Sequence, residues 1–276
     1  MESKNVYIND EKTLTSEEKE KLLNQNKRLV SDFKALKLEA EAQKHWDLFY
    51  KRNETRFFKD RHWTTREFEE LLTGDHLTSQ TQTLLEVGCG VGNFVYPLIE
   101  ELDALNKHNK FFYYLCDFSP RAIEFVRNHP LYDTKRMLAF QCDITNEEIQ
   151  QHVPSNSIDV ITMIFVLSAI TPKKFLLVIK NLHKLLKSNG IILLRDYGRY
   201  DMAQLRFKSG HKISDNFYMR QDGTRSYYFD KEELAKLFLE NGFEIISNSY
   251  IHRRTLNVKE GLDVPRIYVQ GKFRKL

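Results

Sequence analysis

The chain has 276 residues, 41% of them hydrophobic, with 42 Lys and Arg against 38 Asp and Glu for a formal net charge of +4. This composition supports a packed core and excludes a histone-like polycation. The longest apolar run, residues 160–170, contains Thr162 and Ser168 and is shorter than the roughly 18 residues of a membrane span, so no membrane partner is expected. Residues 1–16 carry Glu2, Asp10 and Glu11 but no Arg, unlike a secretory or transit peptide, which points to the cytoplasm or also the nucleus. Cys89, Cys116 and Cys142 form no Cys-x-x-Cys pair and read as small buried residues, so neither a disulfide framework nor a metal site is expected.

The basic excess is local: residues 195–276 hold 16 basic and 11 acidic groups, and residues 44–66 hold seven and three. In chain order, residues 1–16 are polar and aperiodic and read as flexible. From 16 to about 52 the spacing of Leu22, Leu29, Phe33, Leu36 and Ala40 predicts a helix, uninterrupted by Pro or Gly. Residues 46–63 then interleave aromatics with cations, a pattern that suits either a helix surface or a surface for bases and phosphates. Residues 17–80 are thus read as a helical, basic-aromatic extension, and 81–276 as the main domain.

In that domain strands and helices alternate, the pattern of a doubly wound α/β sheet. Strands are expected at 83–87, 111–116, 137–142, 158–165 and 191–195, with helices at 93–105, 120–128 and from Thr171-Pro172 to Asn189-Gly190. Asp230 caps a last helix, followed by strands at 243–251 and 264–273. The insert 196–230 is long for a connection but rich in aromatics, including Phe207, Phe217, Tyr218, Tyr227 and Tyr228, and is read as an ordered lid or substrate-binding element.

The first strand runs into Glu86-Val87-Gly88-Cys89-Gly90-Val91-Gly92-Asn93 and then a helix. Glycines allow a sharp turn and close approach of a ligand to a helix N-terminus. The spacing departs from the Gly-x-Gly-x-x-Gly of dinucleotide folds. With Glu86 before Gly88, Gly90 and Gly92, it resembles the nucleotide loop of class I S-adenosylmethionine-dependent methyltransferases, whose product is S-adenosylhomocysteine. Asp117, beside Phe118, is placed to accept from ribose hydroxyls. Asp143 is placed to accept from the adenine amino group, with Ile144 packing on the ring. Each Asp alone is more often a turn or helix cap than a ligand, but three acids at successive strand ends sit where open α/β sheets bind ligands.

Further motifs carry a closer resemblance. Trp46 to Asn53, Phe57 to Trp63, Cys116 to Ile123, Ile164 to Ala169, Arg195-Asp196-Tyr197-Gly198 and Arg220 to Tyr227 closely resemble eukaryotic methyltransferase-like enzymes that make 3-methylcytidine in tRNA. The match spans about residues 30–273 and looks most like the branch acting on cytidine 32 of serine tRNAs together with seryl-tRNA synthetase. The resemblance implies that Trp46, Tyr50, Gly88, Asp117, Asp143 and Ile164 contact the methyl donor.

N3 of neutral cytosine has an in-plane lone pair, so no general base is required. The product is cationic, and a carboxylate beside the base lowers the barrier. Asp196, expected to face the cleft mouth, is the first choice, and Asp also suits the cytosine amino group. The base must leave its stack to react. Phe58, His62, Trp63 and Tyr197 are candidates to stack on it and Arg61 to bind its O2 or a phosphate, with ordinary packing as the alternative. Arg220, Arg225, Arg253, Arg254, Lys259 and Arg266 are candidate tRNA-backbone contacts. The competing readings are 3-methylcytidine formation on threonine or arginine tRNA, whose sister branches share most of these motifs, a small-molecule methyltransferase, and a catalytically silent RNA or synthetase adaptor.

Overall fold

The computed structural model describes residues 6–8, 10–72, 81–107, 110–257 and 262–276. Strand β1 (Val6–Ile8) lies inside the segment read as flexible, where it pairs antiparallel with residues 250–252. Two β-branched residues around a Tyr suit an edge strand, and the Tyr7 hydroxyl donates to Glu67.

Residues 16–53 form three helices rather than one: α1 (Ser16–Asn26), α2 (Asp32–Ala40) and α3 (Ala42–Asn53). The cause is local capping. Thr15 and Glu18 make a reciprocal capping box, and the Ser31 side chain accepts from the Lys34 N–H, restarting the helix. The break rotates the expected apolar face outward, so Leu29, Phe33 and Leu36 are exposed. Helix α3 instead buries Phe49 and Tyr50. A short α4 (Thr64–Glu67) follows.

The main domain begins with β2 (Gln82–Val87) and continues through α5 (Val95–Ala104), β3 (Phe111–Asp117), α6 (Pro120–Arg127), β4 (Met137–Gln141), β5 (Ile158–Ile164), α7 (Phe175–Leu185) and β6 (Leu186–Tyr197). The helix α7 ends four residues before the expected Asn189-Gly190 stop, and β6 starts at once, with a register shift against β5. Five strands run parallel in the order β6-β5-β2-β3-β4, so β2 has a neighbour on each side and the order reverses there. A ligand crevice at such a switch point, at the carboxyl ends of the strands, is a property of open α/β sheets. Apolar clusters cover both faces, as the near-continuous Val, Ile and Leu runs of the strands require.

The insert 196–230 carries secondary structure of its own. It contains α8 (Met202–Leu205) and a separate three-stranded sheet of β7 (Lys212–Ser214), β8 (Phe217–Met219) and β9 (Arg225–Tyr227). After α9 (Lys231–Leu239), β10 (Phe243–Asn257) and β11 (Leu262–Lys275) pair with each other, and β11 runs antiparallel to β6. Among the described residues no helix is long and apolar enough to cross a membrane.

Candidate active site

At the carboxyl end of β2 the glycine loop turns through the left-handed region, with Gly88 at φ +66° and Gly90 at φ +55°. A Cβ at Gly88 would meet Val166 Cγ2 at 2.5 Å, and one at Gly90 would meet the Tyr50 hydroxyl at 3.0 Å. Only glycine satisfies both the turn and the close packing.

Beside this loop is a cavity of about 400 Å³ lined by Trp46, Tyr50, Gly88, Asp117, Phe118, Asp143 and Ile144, all singled out in the sequence. Gly90 and Ile164 line a narrower adjoining space. Two predicted residues are placed elsewhere. Glu86 is buried behind the loop, facing Arg61, with one carboxylate oxygen unpaired and burial pushing its pKa up to about 8. Gly92 packs on the Tyr96 ring and shapes the turn without lining either space.

Asp117 Oδ2 accepts from the Gly90 N–H and Oδ1 from the Ser119 N–H, both at 2.9 Å. Each oxygen keeps a lone pair for a ligand hydroxyl. Burial raises this carboxyl to about 6, against the opposing pull of those N–H groups. Asp143 Oδ1 accepts from the Thr145 N–H. The residues fit S-adenosylmethionine: a glycine cradle, carboxylates at two strand ends, and Trp46 and Ile144 as apolar walls.

Helices α2 and α3 are tied over this cavity by residues the sequence reading passed over. Glu39 pairs with Lys174 at 2.7 Å and with Arg225; Gln43 Nε2 donates to the Phe118 carbonyl at 3.1 Å; Asp47 accepts from Ser119 Oγ at 2.9 Å. The available signal was their spacing of four, which sets polar residues on one side of a helical run.

A second, larger cavity of about 1050 Å³ opens between the extension and the insert, with Phe58, Arg61, Trp63, Tyr197, Arg220 and Arg266 on its walls. The narrow space between the two cavities is lined by residues of both: Trp46, Tyr50 and Gly88 from the first, Arg61, Tyr197 and Arg220 from the second. Phe165, which follows β5, lines all three. Its φ of +62° is unusual for a bulky side chain. The Phe165 N–H donates to the Arg195 carbonyl at 2.8 Å, and its ring meets those of Tyr197 and Tyr268 at centroid distances of 5.0 and 5.3 Å. Nothing in the local sequence marks a Phe as left-handed, so this residue was missed.

Several expected substrate contacts have other roles. Trp63 packs under Arg195, whose guanidinium lies 4.2 Å from its ring centroid. His62 is exposed and lines none of these spaces. Arg225 is buried in its pair with Glu39 of α2, and it borders the donor cavity rather than solvent. Arg266 is held by Asp201 at 2.9 Å. Arg253 faces Arg266 across the β10–β11 ladder, Arg254 lies next to it on β10, and Lys259 lies outside the described residues.

Asp196 does not face the cleft mouth. It is fully buried at the end of β6, with Oδ2 accepting from the Ser168 N–H and Oδ1 from the Tyr197 N–H, both at 2.9 Å. The alternation of a strand turns Tyr197 into the cavity and Asp196 away from it. Burial raises its pKa to about 6, with the Ser168 bonds and the Arg220 charge working in the other direction.

A methyltransferase-domain family model matches residues 32–248. The chain is 57% identical over 262 residues to the human tRNA N(3)-cytidine methyltransferase METTL6, covering 95% of this chain and 90% of that protein. It is 40% identical over 286 residues to the tRNA N(3)-cytidine methyltransferase METTL2 of Danio rerio, covering 93% and 80%. Among solved structures, a SAM-dependent methyltransferase of Anabaena variabilis superposes with a TM-score of 0.58 at 15% identity, covering 85% of this chain and 95% of that one, a likeness of fold alone. The glycine cradle, the acids at the strand ends and this degree of identity together make the chain a member of the tRNA N(3)-cytidine methyltransferase family.

Proposed function

We propose that this protein transfers a methyl group from S-adenosylmethionine to N3 of cytidine 32 in the anticodon loop of serine tRNA, with seryl-tRNA synthetase as a partner. The observation that carries the reaction is the shared wall: Phe165 borders the donor cavity, the large aromatic and cationic cavity, and the space between them. The donor and an extruded base can therefore meet at one point. The serine branch is supported by 57% identity to METTL6 against 40% to METTL2.

S-adenosylmethionine, when bound, supplies an electrophilic methyl group. The work of the chain is to hold and orient. Trp46 and Tyr50 close the donor cavity from α3, while Asp117 and Asp143 accept from its polar groups. Phe165 and Tyr197 form the wall against which the base lies, and Arg61 and Arg220 supply cations for its carbonyl or phosphate. N3 needs no deprotonation, so no side chain has to act as a general base. Asp196 acts from behind Tyr197. It fixes the backbone of Ser168 and Tyr197, and its negative charge in a low-dielectric setting favours the cation that develops on the base. It also offsets the positive charge of Arg220 across the same wall.

The test is nucleoside mass spectrometry of total tRNA after incubation with purified protein and S-adenosylmethionine, with and without seryl-tRNA synthetase. A rise in 3-methylcytidine confined to serine tRNA, and enhanced by the synthetase, is expected. Methyl transfer to another nucleoside, or none despite measured donor binding, contradicts the assignment.

A further inference from the structure

The large cavity is more than one base requires. At about 1050 Å³ it exceeds the ~300–1,000 Å³ range of pockets that enclose a whole small ligand. Its inner end, at Phe165 and Tyr197, accounts for the reacting cytosine. Its outer end is built differently. On one side stand Phe57 and Lys59, on the other Arg206 and Lys208 of the insert.

Phe57 is 57% exposed, an unusual position for a Phe at the mouth of a cavity. It is not loose, because its ring packs edge-on against Phe49 and Phe58 at centroid distances of 4.8 and 4.9 Å. Held by those contacts, it still lines the cavity with more than half of its surface open. Among the described residues, Lys59, Arg206 and Lys208 form no ion pair. Six Lys and Arg line the cavity against one carboxylate, that of Asp222, whose Oδ1 already accepts from Thr224. A rigid exposed aromatic among unpaired cations is the arrangement that binds an unstacked base with its phosphates, regardless of base identity.

We infer that the outer end of the cavity is a second nucleotide subsite: a base adjacent to the methylated cytidine stacks on Phe57, and the phosphodiesters on either side of it lie against Lys59, Arg206 and Lys208. This rests on the tRNA reading above. The substrate class it selects is an opened single strand with at least two consecutive bases out of their stack, not a lone flipped nucleotide.

A binding cycle tests the subsite separately from methyl transfer. Anisotropy with the full chain and S-adenosylhomocysteine gives Kd for a labelled anticodon stem-loop, intact or with an abasic nucleotide on the 5′ or 3′ side of the target cytidine. One of the two abasic sites is expected to weaken binding to wild type on the order of ten-fold, the effect of one lost base–aromatic stack. The same abasic site is expected to cost Phe57→Leu almost nothing, and Phe57→Trp is expected to restore the penalty. The inference is overturned if neither flanking base matters to wild type, or if the penalty persists undiminished in Phe57→Leu. Methyl transfer to intact tRNA, measured alongside, fails only if the proposed reaction is wrong.

Discussion

Phe165 and Tyr197, at the carboxyl ends of the neighbouring parallel strands β5 and β6, pack ring against ring with centroids 5.0 Å apart. The Arg220 guanidinium lies 5.3 Å from the Tyr197 centroid. This wall is where the donor cavity and the large cavity meet, and the proposed reaction needs it to set the approach of base to methyl group.

The left-handed backbone at Phe165 gives a way to separate shape from strain. A non-glycine residue in that region costs about 1–2 kcal/mol relative to glycine. Phe165→Gly and Phe165→Ala both delete the ring, but only the alanine keeps the strained backbone. Both are expected to lose at least about ten-fold in methyl transfer. Chemical denaturation should find the glycine variant more stable than the alanine variant by about 1 kcal/mol; equal stabilities, or transfer retained in either, would be inconsistent with the wall.

Asp196 gives a pH signature. Its folded pKa is raised to about 6 from an ordinary 3.8 by burial. The ionised form is needed, so kcat is expected to fall as pH drops through about 6, and Asp196→Asn is expected to be slow, by ten-fold or more, with that limb of the profile absent. For stability the sign is opposite. A raised carboxyl pKa contributes stability below about 4 that is lost as pH rises through about 6. Asp196→Asn should therefore lose stability relative to wild type more at pH 4 than at pH 8, which thermal melts at both values would check.

Donor binding should depend on the glycine cradle. Gly88→Ala brings a Cβ to 2.5 Å from Val166 Cγ2 and puts alanine at φ +66°. Calorimetric titration with S-adenosylhomocysteine is expected to show a loss of affinity of ten-fold or more, with tRNA binding little changed. Wild-type donor affinity in this variant would contradict the assigned cavity.

Salt should separate the two cavities. With about four phosphate contacts and the single-strand coefficient of roughly 0.7 per contact, log affinity for tRNA should fall with log salt at a slope near −3. Donor affinity should be almost flat over the same range. A flat tRNA response would remove the cations of the large cavity from the account.

Much of this site was legible because it depends on local chemistry. The glycine loop, Asp117 and Asp143 are strand-end residues, and strand ends follow from hydrophobic runs and turn residues. What failed was side-chain direction and partnership. Asp196 and Tyr197 are consecutive, and only the register of β6 decides which faces the cavity. Arg225 resembles a surface cation in the sequence, and only the fold brings Glu39, 186 residues away, against it. The continuous helix over 16–52 failed because apolar spacing ran across a Ser31 cap. Phe165 was illegible for a different reason: its left-handed backbone is imposed by tertiary packing between β5 and β6, against its own preference.

On the proposed reading, the Phe165–Tyr197 wall brings the donor to N3 of an extruded cytidine. Reverse transcription of serine tRNA transcript after single-turnover incubation reads this most directly, because a methyl group on N3 blocks base pairing and arrests the polymerase. A stop one nucleotide 3′ of position 32 that requires both S-adenosylmethionine and the cytidine, and that disappears when uridine replaces it, is the predicted result. Incorporation of label without a stop, or a stop elsewhere in the tRNA, would contradict it.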